Sequence, residues 1–238
     1  EFIGESSYRP QLCVLQLATP DMIWLVDPLA GVDCIPIFEL ICDPSLSKTV
    51  HAGEQDLEQV FRATGRPPAS VLDTQIASGF ASLGYPVALA KLALELTGVM
   101  MHKGFTFTDW TQRPLSASQL RYAADDVRYL PMLRRELDAR LAALGRADWA
   151  QRECAERIAR LAETSRAENQ WKRVRGSNSL DSRGVNILRR LVAWRDASAR
   201  NADLPVRTFL KDEVLIDLSR KPPASIDRLG AIRHFPRP

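Results

Sequence analysis

Leu120-Arg121-Tyr122-Ala123-Ala124-Asp125-Asp126-Val127-Arg128-Tyr129-Leu130 is the stretch from which the rest of the chain can be read. Just ahead of it, Pro114-Leu115-Ser116 leads into Ala117-Ser118-Gln119. Ser116 with Gln119 three residues on is a capping box, which predicts a helix start. Apolar residues then recur at Leu120, Ala123, Val127, Leu130, Leu133, Leu137, Leu141 and Leu144, close to the helical period. Tyr122 and Asp126 stand four residues apart, so the phenol and the carboxylate share one helix face. Asp125 is one position off that register and is expected to face solvent. Pro131 is expected to bend the helix and Gly145 to end it. Arg146-Ala147-Asp148 reads as a linker into a charged helix over residues 150–169.

Upstream the pattern is different. Residues 12–17 and Met22-Ile23-Trp24-Leu25-Val26 are short β-type runs, and Thr19-Pro20-Asp21 between them is a turn signal, so the pair reads as a hairpin. Residues 31–41 look helical, with Pro36 weakening the interior. Lys48-Thr49-Val50-His51 is a candidate strand, and helical signals cover 55–63, 74–81 and 87–96. Strands come first, then helices interleave, then everything is helix. That order predicts an α/β domain followed by a helical one. There is no internal repeat and no low-complexity tract.

A chain of 238 residues is about 1.6 times a common domain length. At 45% hydrophobic and 26% charged it is neither disordered nor collagen-like, and no run is long and apolar enough to span a membrane. Cys13, Cys34, Cys42 and Cys154 form no C-x-x-C pair, so zinc is not expected, and Cys13 and Cys42, in apolar runs, read as buried thiols in a reducing cytosol. The chain opens on Glu1-Phe2-Ile3 without Met or signal peptide and is expected to be truncated at its N-terminus. Charge is unevenly placed. Residues 1–100 hold 5 Lys/Arg against 12 Asp/Glu, net −7, and residues 101–238 hold 27 against 17, net +10. The split suggests cation binding in the first part and a polyanion partner for the second.

Three carboxylates stand at suggestive places. Glu1 precedes the first strand pair, Asp56 follows the strand-like His51 at a helix start, and Asp126 sits on the capped helix. Carboxylates brought together from separate elements take hard divalent cations. Mg²⁺ or Mn²⁺ held this way activates water and stabilises a leaving oxygen in phosphodiester hydrolysis. Each residue also has an ordinary explanation. Glu1 fits a surface acid, Asp56 a helix N-terminus, Tyr122 a core residue, and Asp125 with Asp126 a solvated face.

Taken in order, the motifs resemble a known family. The Tyr122–Asp126 string resembles the third exonuclease motif of ribonuclease D, Tyr followed four positions on by Asp. His51-Ala52-Gly53-Glu54-Gln55-Asp56-Leu57 resembles its second motif. Glu1-Phe2, with Tyr8-Arg9-Pro10-Gln11-Leu12 and Gln16-Leu17, resembles its first, Asp-x-Glu-Phe. Asp73-Thr74-Gln75-Ile76-Ala77 and Thr108-Asp109-Trp110-x-x-Arg113-Pro114-Leu115 resemble the same family. The match covers residues 1–146, with 147–170 as a linking helix. From Trp171 to Pro238 the chain resembles the HRDC (helicase and RNase D C-terminal) module, through Leu191-x-x-Trp194-Arg195, Ala197 to Pro205, Asp212-x-x-Leu215 and Leu218 to Pro222. The module's C-terminus is expected to be incomplete here.

The resemblance implies an RNase H-like α/β domain with a mixed sheet, followed by an all-α HRDC-type domain. It implies a DEDDy 3′-5′ exoribonuclease that hydrolyses RNA 3′ ends to nucleoside 5′-monophosphates with two Mg²⁺ or Mn²⁺, in maturation of tRNA and other small stable RNAs. Carried over by motif, Glu1 and Asp126 hold the ion that carries the attacking water, Asp56 supports the second ion, and Tyr122 orients the water. The Asp that the family places two residues before Glu1 falls ahead of the chain. Lys103 is expected to touch a phosphate, Phe2 to pack on the terminal nucleotide, and Trp110 to stack a base, although both aromatics also suit a core. His51 is expected to be structural. Lys172, Arg173, Arg175, Arg183, Arg189, Arg190, Arg195 and Arg200 could track RNA phosphates or form a solvated face. Expected partners are single-stranded RNA 3′ ends and tRNA precursors, with no membrane; a cytoplasmic monomer is expected. A DNA 3′-5′ exonuclease and an inactive RNA-binding module are the alternatives.

Overall fold

The computed structural model describes residues 1–4, 7–101, 109–225, 228–229 and 235. The chain divides into two units, Glu1–Phe2 with Leu12–Ala162, and Ile3–Gln11 with Glu163–Pro238. The elements run β1 (Phe2–Ile3), β2 (Gln11–Leu12), β3 (Leu15–Ala18), β4 (Ile23–Val26), α1 (Ile35–Cys42), β5 (Lys48–Val50), α2 (Glu54–Thr64), β6 (Val71–Asp73), α3 (Thr74–Phe80) and α4 (Leu89–Thr97). They continue as α5 (Ala117–Arg128), α6 (Leu130–Ala143), α7 (Ala147–Ser165), α8 (Ser182–Asn201), α9 (Val206–Phe209) and α10 (Asp212–Arg220).

In the first unit the expected hairpin forms. β3 and β4 pair antiparallel with Leu15 opposite Val26, and the turn closes as the Thr19 N–H donates to the Met22 carbonyl at 2.8 Å. β5 and β6 pair parallel, with Val50 opposite Asp73. Pairing of both senses fits the mixed-sheet expectation, although the described strands form three two-stranded sheets. A core of Leu72, Leu92, Leu133, Leu137, Leu141, Ala150 and Cys154 joins β6 to the helices, and Leu15 and Val26 of the hairpin pack on a separate cluster of Cys34, Phe38, Cys42 and Val60. Each fully buried Leu contributes roughly 1.5–3 kcal/mol of burial free energy.

The capping box is realised. The Gln119 N–H donates to Ser116 Oγ at 3.2 Å, and the Ser116 N–H donates to Gln119 Oε1 at 2.9 Å. Both prolines correct the sequence reading. Pro36 and Pro131 lie in the first turns of α1 and α6, where a helix has no use for the missing N–H and gains from a fixed φ. Pro36 therefore begins a helix instead of weakening one, and the chain breaks at Tyr129 instead of bending through Pro131. The linker at 146–148 is a second correction. Gly145, at φ +65°, ends α6, and α7 starts at Ala147. Ala150 and Cys154 of α7 pack into the first unit's core, and the first unit runs on to Ala162.

The second unit is built on α8, with Val174, Leu188, Val192, Leu210, Val214 and Leu215 in its core. Residues 3–11 belong to it. The Tyr8 hydroxyl donates to Asp196 Oδ1 at 2.7 Å, and the Arg200 guanidinium lies 5.3 Å from the centre of the Tyr8 ring. Among the described residues no helix is long and apolar enough to cross a membrane.

Candidate active site

Backbone pairing places the first acid. The Glu1 carbonyl accepts from the N–H groups of Cys13 (2.9 Å) and Val14 (3.2 Å), and the Glu1 nitrogen donates to the Val14 carbonyl at 2.7 Å. Cys13 and Val14 are fully buried, so this end of the chain is held against the core. Asp56 stands in the first turn of α2, where the helix dipole favours an acid. Tyr122 and Asp126 come from α5, one turn apart.

Three of these side chains are joined. The Tyr122 hydroxyl donates to the Asp126 carboxylate, and Asp126 and Glu1 share a hydrogen bond. Asp126 has its pKa pushed up to about 7, by burial first and then by the Glu1 charge. Tyr122 is pushed up to about 12, by burial first and then by the Asp126 and Glu1 charges. Asp56 is raised too, first by desolvation among its neighbours and further by the Glu1 charge. Glu1 is therefore the shared neighbour, hydrogen-bonded to Asp126 and within electrostatic reach of Asp56. Among the described residues no three His, Cys, Asp or Glu side chains are yet gathered into a metal cage.

The donor set nevertheless suits a divalent cation. Among the described residues no Lys or Arg side chain pairs with Glu1, Asp56 or Asp126, and the raised values of Asp56 and Asp126 show charge that the fold leaves uncompensated. Oxygen donors of this kind are what Mg²⁺ and Mn²⁺ select.

The supporting residues tie this corner together. Arg113 grips Asp27 with two bonds, Nε to Oδ2 at 2.6 Å and Nη2 to Oδ1 at 2.7 Å. It also donates to the Trp110 carbonyl at 2.9 Å and to the Cys13 carbonyl at 2.8 Å. One guanidinium thus links the turn carrying Trp110 to the residue that pins Glu1. Arg113 and Asp73 both lay inside quoted motifs, but sequence gave neither a role, because their partners lie far along the chain.

The remaining expectations fare unequally. Trp110 is a correction. It is only 6% exposed, and its ring packs on Tyr122 with centroids 6.0 Å apart, so it offers no free face to a base. Asp125 is another. It is 8% exposed and meets Arg128 Nε at 3.3 Å, an i,i+3 partner on its own helix that draws it out of solvent. Phe2 is half-buried in β1 beside Glu1. His51 lies with Nδ1 2.8 Å from Thr74 Oγ1, its pKa lowered first by burial. Lys103 lies outside the described residues. Of the basic residues in the helical unit, Arg195 is 5% exposed and bonded to Asp212, which removes it from phosphate contact. Arg189 lies over the Trp171 ring, Arg200 pairs with Asp196 and Lys172 with Glu163, whereas Arg175, Arg183 and Arg190 are exposed.

Residues 1–142 match the family model described as 3′-5′ exonuclease, and residues 185–237 match the HRDC domain. Ribonuclease D of Gluconacetobacter diazotrophicus is 38% identical over 238 residues, all of this chain and 60% of that protein. The crystal structure of Escherichia coli RNase D, described as an exoribonuclease involved in structured RNA processing, superposes with a TM-score of 0.83. It is 33% identical, over 97% of this chain and 62% of that one. Brucella melitensis NrnC with bound Mg²⁺ superposes with a TM-score of 0.59 at 30% identity, over 76% of this chain and 86% of that one. The chain spans about 60% of the length of the ribonuclease D proteins it matches.

Proposed function

This chain belongs to the 3′-5′ exonuclease family, here joined to an HRDC domain, and from that premise we propose that it hydrolyses RNA 3′ ends to nucleoside 5′-monophosphates in the manner of ribonuclease D. The observation that carries the reading is the hydrogen-bonded series Tyr122–Asp126–Glu1, whose carboxyls meet no basic side chain among the described residues.

Glu1 and Asp126 would hold one divalent cation and Asp56 a second, either Mg²⁺ or Mn²⁺. When bound, such ions supply a water of lowered pKa and charge stabilisation at the leaving 3′ oxygen. The rest is the work of the chain. A Tyr122 hydroxyl with its pKa raised to about 12 stays protonated at neutral pH; with its proton given to Asp126, its oxygen can accept a hydrogen bond from the attacking water and fix its approach. Trp110 packs against the Tyr122 ring and restricts its swing. Phe2, beside Glu1, would pack on the terminal nucleotide, and Lys103 would take a phosphate.

Single-stranded RNA 3′ ends, including tRNA precursors, are the proposed substrates. The net positive charge of residues 101–238 supports a polyanion partner, as does the NrnC structure bound to pGG. Four free, buried cysteines support a cytoplasmic setting, and the protein is proposed to act as a monomer.

The test is an assay on the full-length protein with 3′-labelled single-stranded RNA and DNA of the same sequence, in Mg²⁺ or Mn²⁺. Metal-dependent release of labelled mononucleotide from RNA, lost in Asp126→Ala, is the expected result. Equal attack on DNA would shift the reading to a DNA exonuclease. Salt-sensitive RNA binding without release would make the protein a binding module.

A further inference from the structure

We propose that Asp73 is a positioning residue for Asp56, and through it for the cation that Asp56 would hold; this rests on the exonuclease reading above. Asp73 ends β6, is 9% exposed, and collects three backbone N–H groups on one carboxylate. Oδ1 accepts from Gln75 at 2.8 Å and from Ala52 at 3.0 Å, and Oδ2 accepts from Gly53 at 3.1 Å. The Gln75 bond is the ordinary N-cap of α3. The other two reach across to the turn that feeds α2.

That turn has little support of its own. Gly53, the N-cap of α2, makes no side-chain cap bond. Ala52 sits at φ +51°, a conformation that costs a non-glycine residue about 1–3 kcal/mol unless its surroundings impose it. At Gly53 a Cβ would come within 2.7 Å of Val50 Cβ, so the backbone passes too close for any other residue. Thr74, next to Asp73, donates from Oγ1 to the Val50 carbonyl at 3.1 Å and meets His51 Nδ1 at 2.8 Å. Residues 50–53 are thus clamped from the β6–α3 junction. Only Glu54 and Gln55 separate this clamp from Asp56, which rides on the first turn of a helix. Moving the turn moves the Asp56 carboxylate with it.

Asn at position 73 isolates the effect. Its oxygen can keep the two bonds on the Oδ1 side, while its NH₂ faces the Gly53 N–H and forces donor against donor. The experiment is Mn²⁺ binding to the full-length protein, read as loss of the free-ion electron paramagnetic resonance signal, for wild type, Asp73→Asn, Gly53→Ala and Asp126→Ala. Gly53→Ala displaces the same N–H while leaving the carboxylate intact. Asp73→Asn is expected to weaken one class of Mn²⁺ site by about tenfold or more, as partners one shell out from a metal do. Raising Mn²⁺ should restore kcat, with the RNA KM within about twofold of wild type. Gly53→Ala should show the same pattern. If Asp73→Asn and Gly53→Ala fold and bind Mn²⁺ as tightly as wild type, the proposal is overturned. It is equally overturned if neither folds, because a carboxylate that the whole domain needs is not a positioning residue. Absence of Mn²⁺ binding in wild type, or binding unchanged in Asp126→Ala, would instead overturn the exonuclease reading itself.

Discussion

In the first unit Glu1, Asp56 and Asp126 meet no Lys or Arg side chain among the described residues, while in the second unit the buried Arg195 is answered on two sides. Its Nη1 donates to Asp212 Oδ1 at 2.8 Å and to the Leu210 carbonyl at 2.9 Å. Arg195 is buried and Asp126 half-buried, so both regions hold charge at least partly out of water, which is costly. In the helical unit these two bonds offset much of the cost, although the buried Arg195 Nε has no partner, and the residue is consumed in holding α8 against α10. In the α/β unit no Lys or Arg side chain among the described residues answers the acids, and the values of Asp56 and Asp126 are raised. Uncompensated charge marks a site that awaits a ligand; compensated charge marks scaffold. The same contrast removes Arg195 from the basic residues open to phosphate, while Arg175, Arg183 and Arg190 stay exposed.

Several substitutions would break or sharpen this contrast. The largest effect is expected at Asp126. Replacing it by Ala should lower RNA hydrolysis by about a thousandfold, near the upper range for removing one group that stabilises transition-state charge, with a normal far-ultraviolet circular dichroism spectrum. Arg195→Ala should do the reverse. It should cost about 3 kcal/mol of stability in the helical unit by emptying a buried position and leaving Asp212 only its exposed partner Arg207, measured by chemical denaturation, while hydrolysis per folded molecule of a short RNA holds. Tyr122→Phe, which keeps the ring against Trp110 and removes only the hydroxyl, should lower kcat by about a hundredfold with KM nearly unchanged.

The smallest effect is a pH dependence. The Asp126 carboxyl lies at about 7 in the folded chain, above about 3.9 when unfolded. A raised carboxyl contributes stability that is complete below the unfolded value and is lost as pH rises through the folded one. The metal-free protein should therefore lose melting temperature as pH climbs from 5 to 8. Asp126→Asn should flatten that slope. Mn²⁺ should remove it in wild type, since the cation replaces the proton.

How much of this was legible in the sequence depended on distance along the chain. The capping box of Ser116 and Gln119, the Tyr122–Asp126 spacing and the β3–β4 hairpin are local patterns, and each forms as read. Pro36 and Pro131 were misread because proline both breaks helices and starts them, and only the position of the first turn decides which. Asp125 was misread because register alone says nothing of Arg128, three residues on. Arg195 and Asp73 depended on partners 17 and about 20 residues away, brought close only by the fold. Arg113 reaches 100 residues to Cys13 and 86 to Asp27. The order of motifs announced the carboxylates; the residues that hold them in place needed coordinates.

The most direct measurement is a crystal structure of the full-length protein soaked in Mn²⁺, with anomalous scattering to locate the ions. The account predicts a strong peak about 2.1 Å from carboxylate oxygens of Glu1 and Asp126, with a second peak on the side of Asp56. Peaks elsewhere, or none at these three carboxylates in a preparation that degrades RNA, would contradict it.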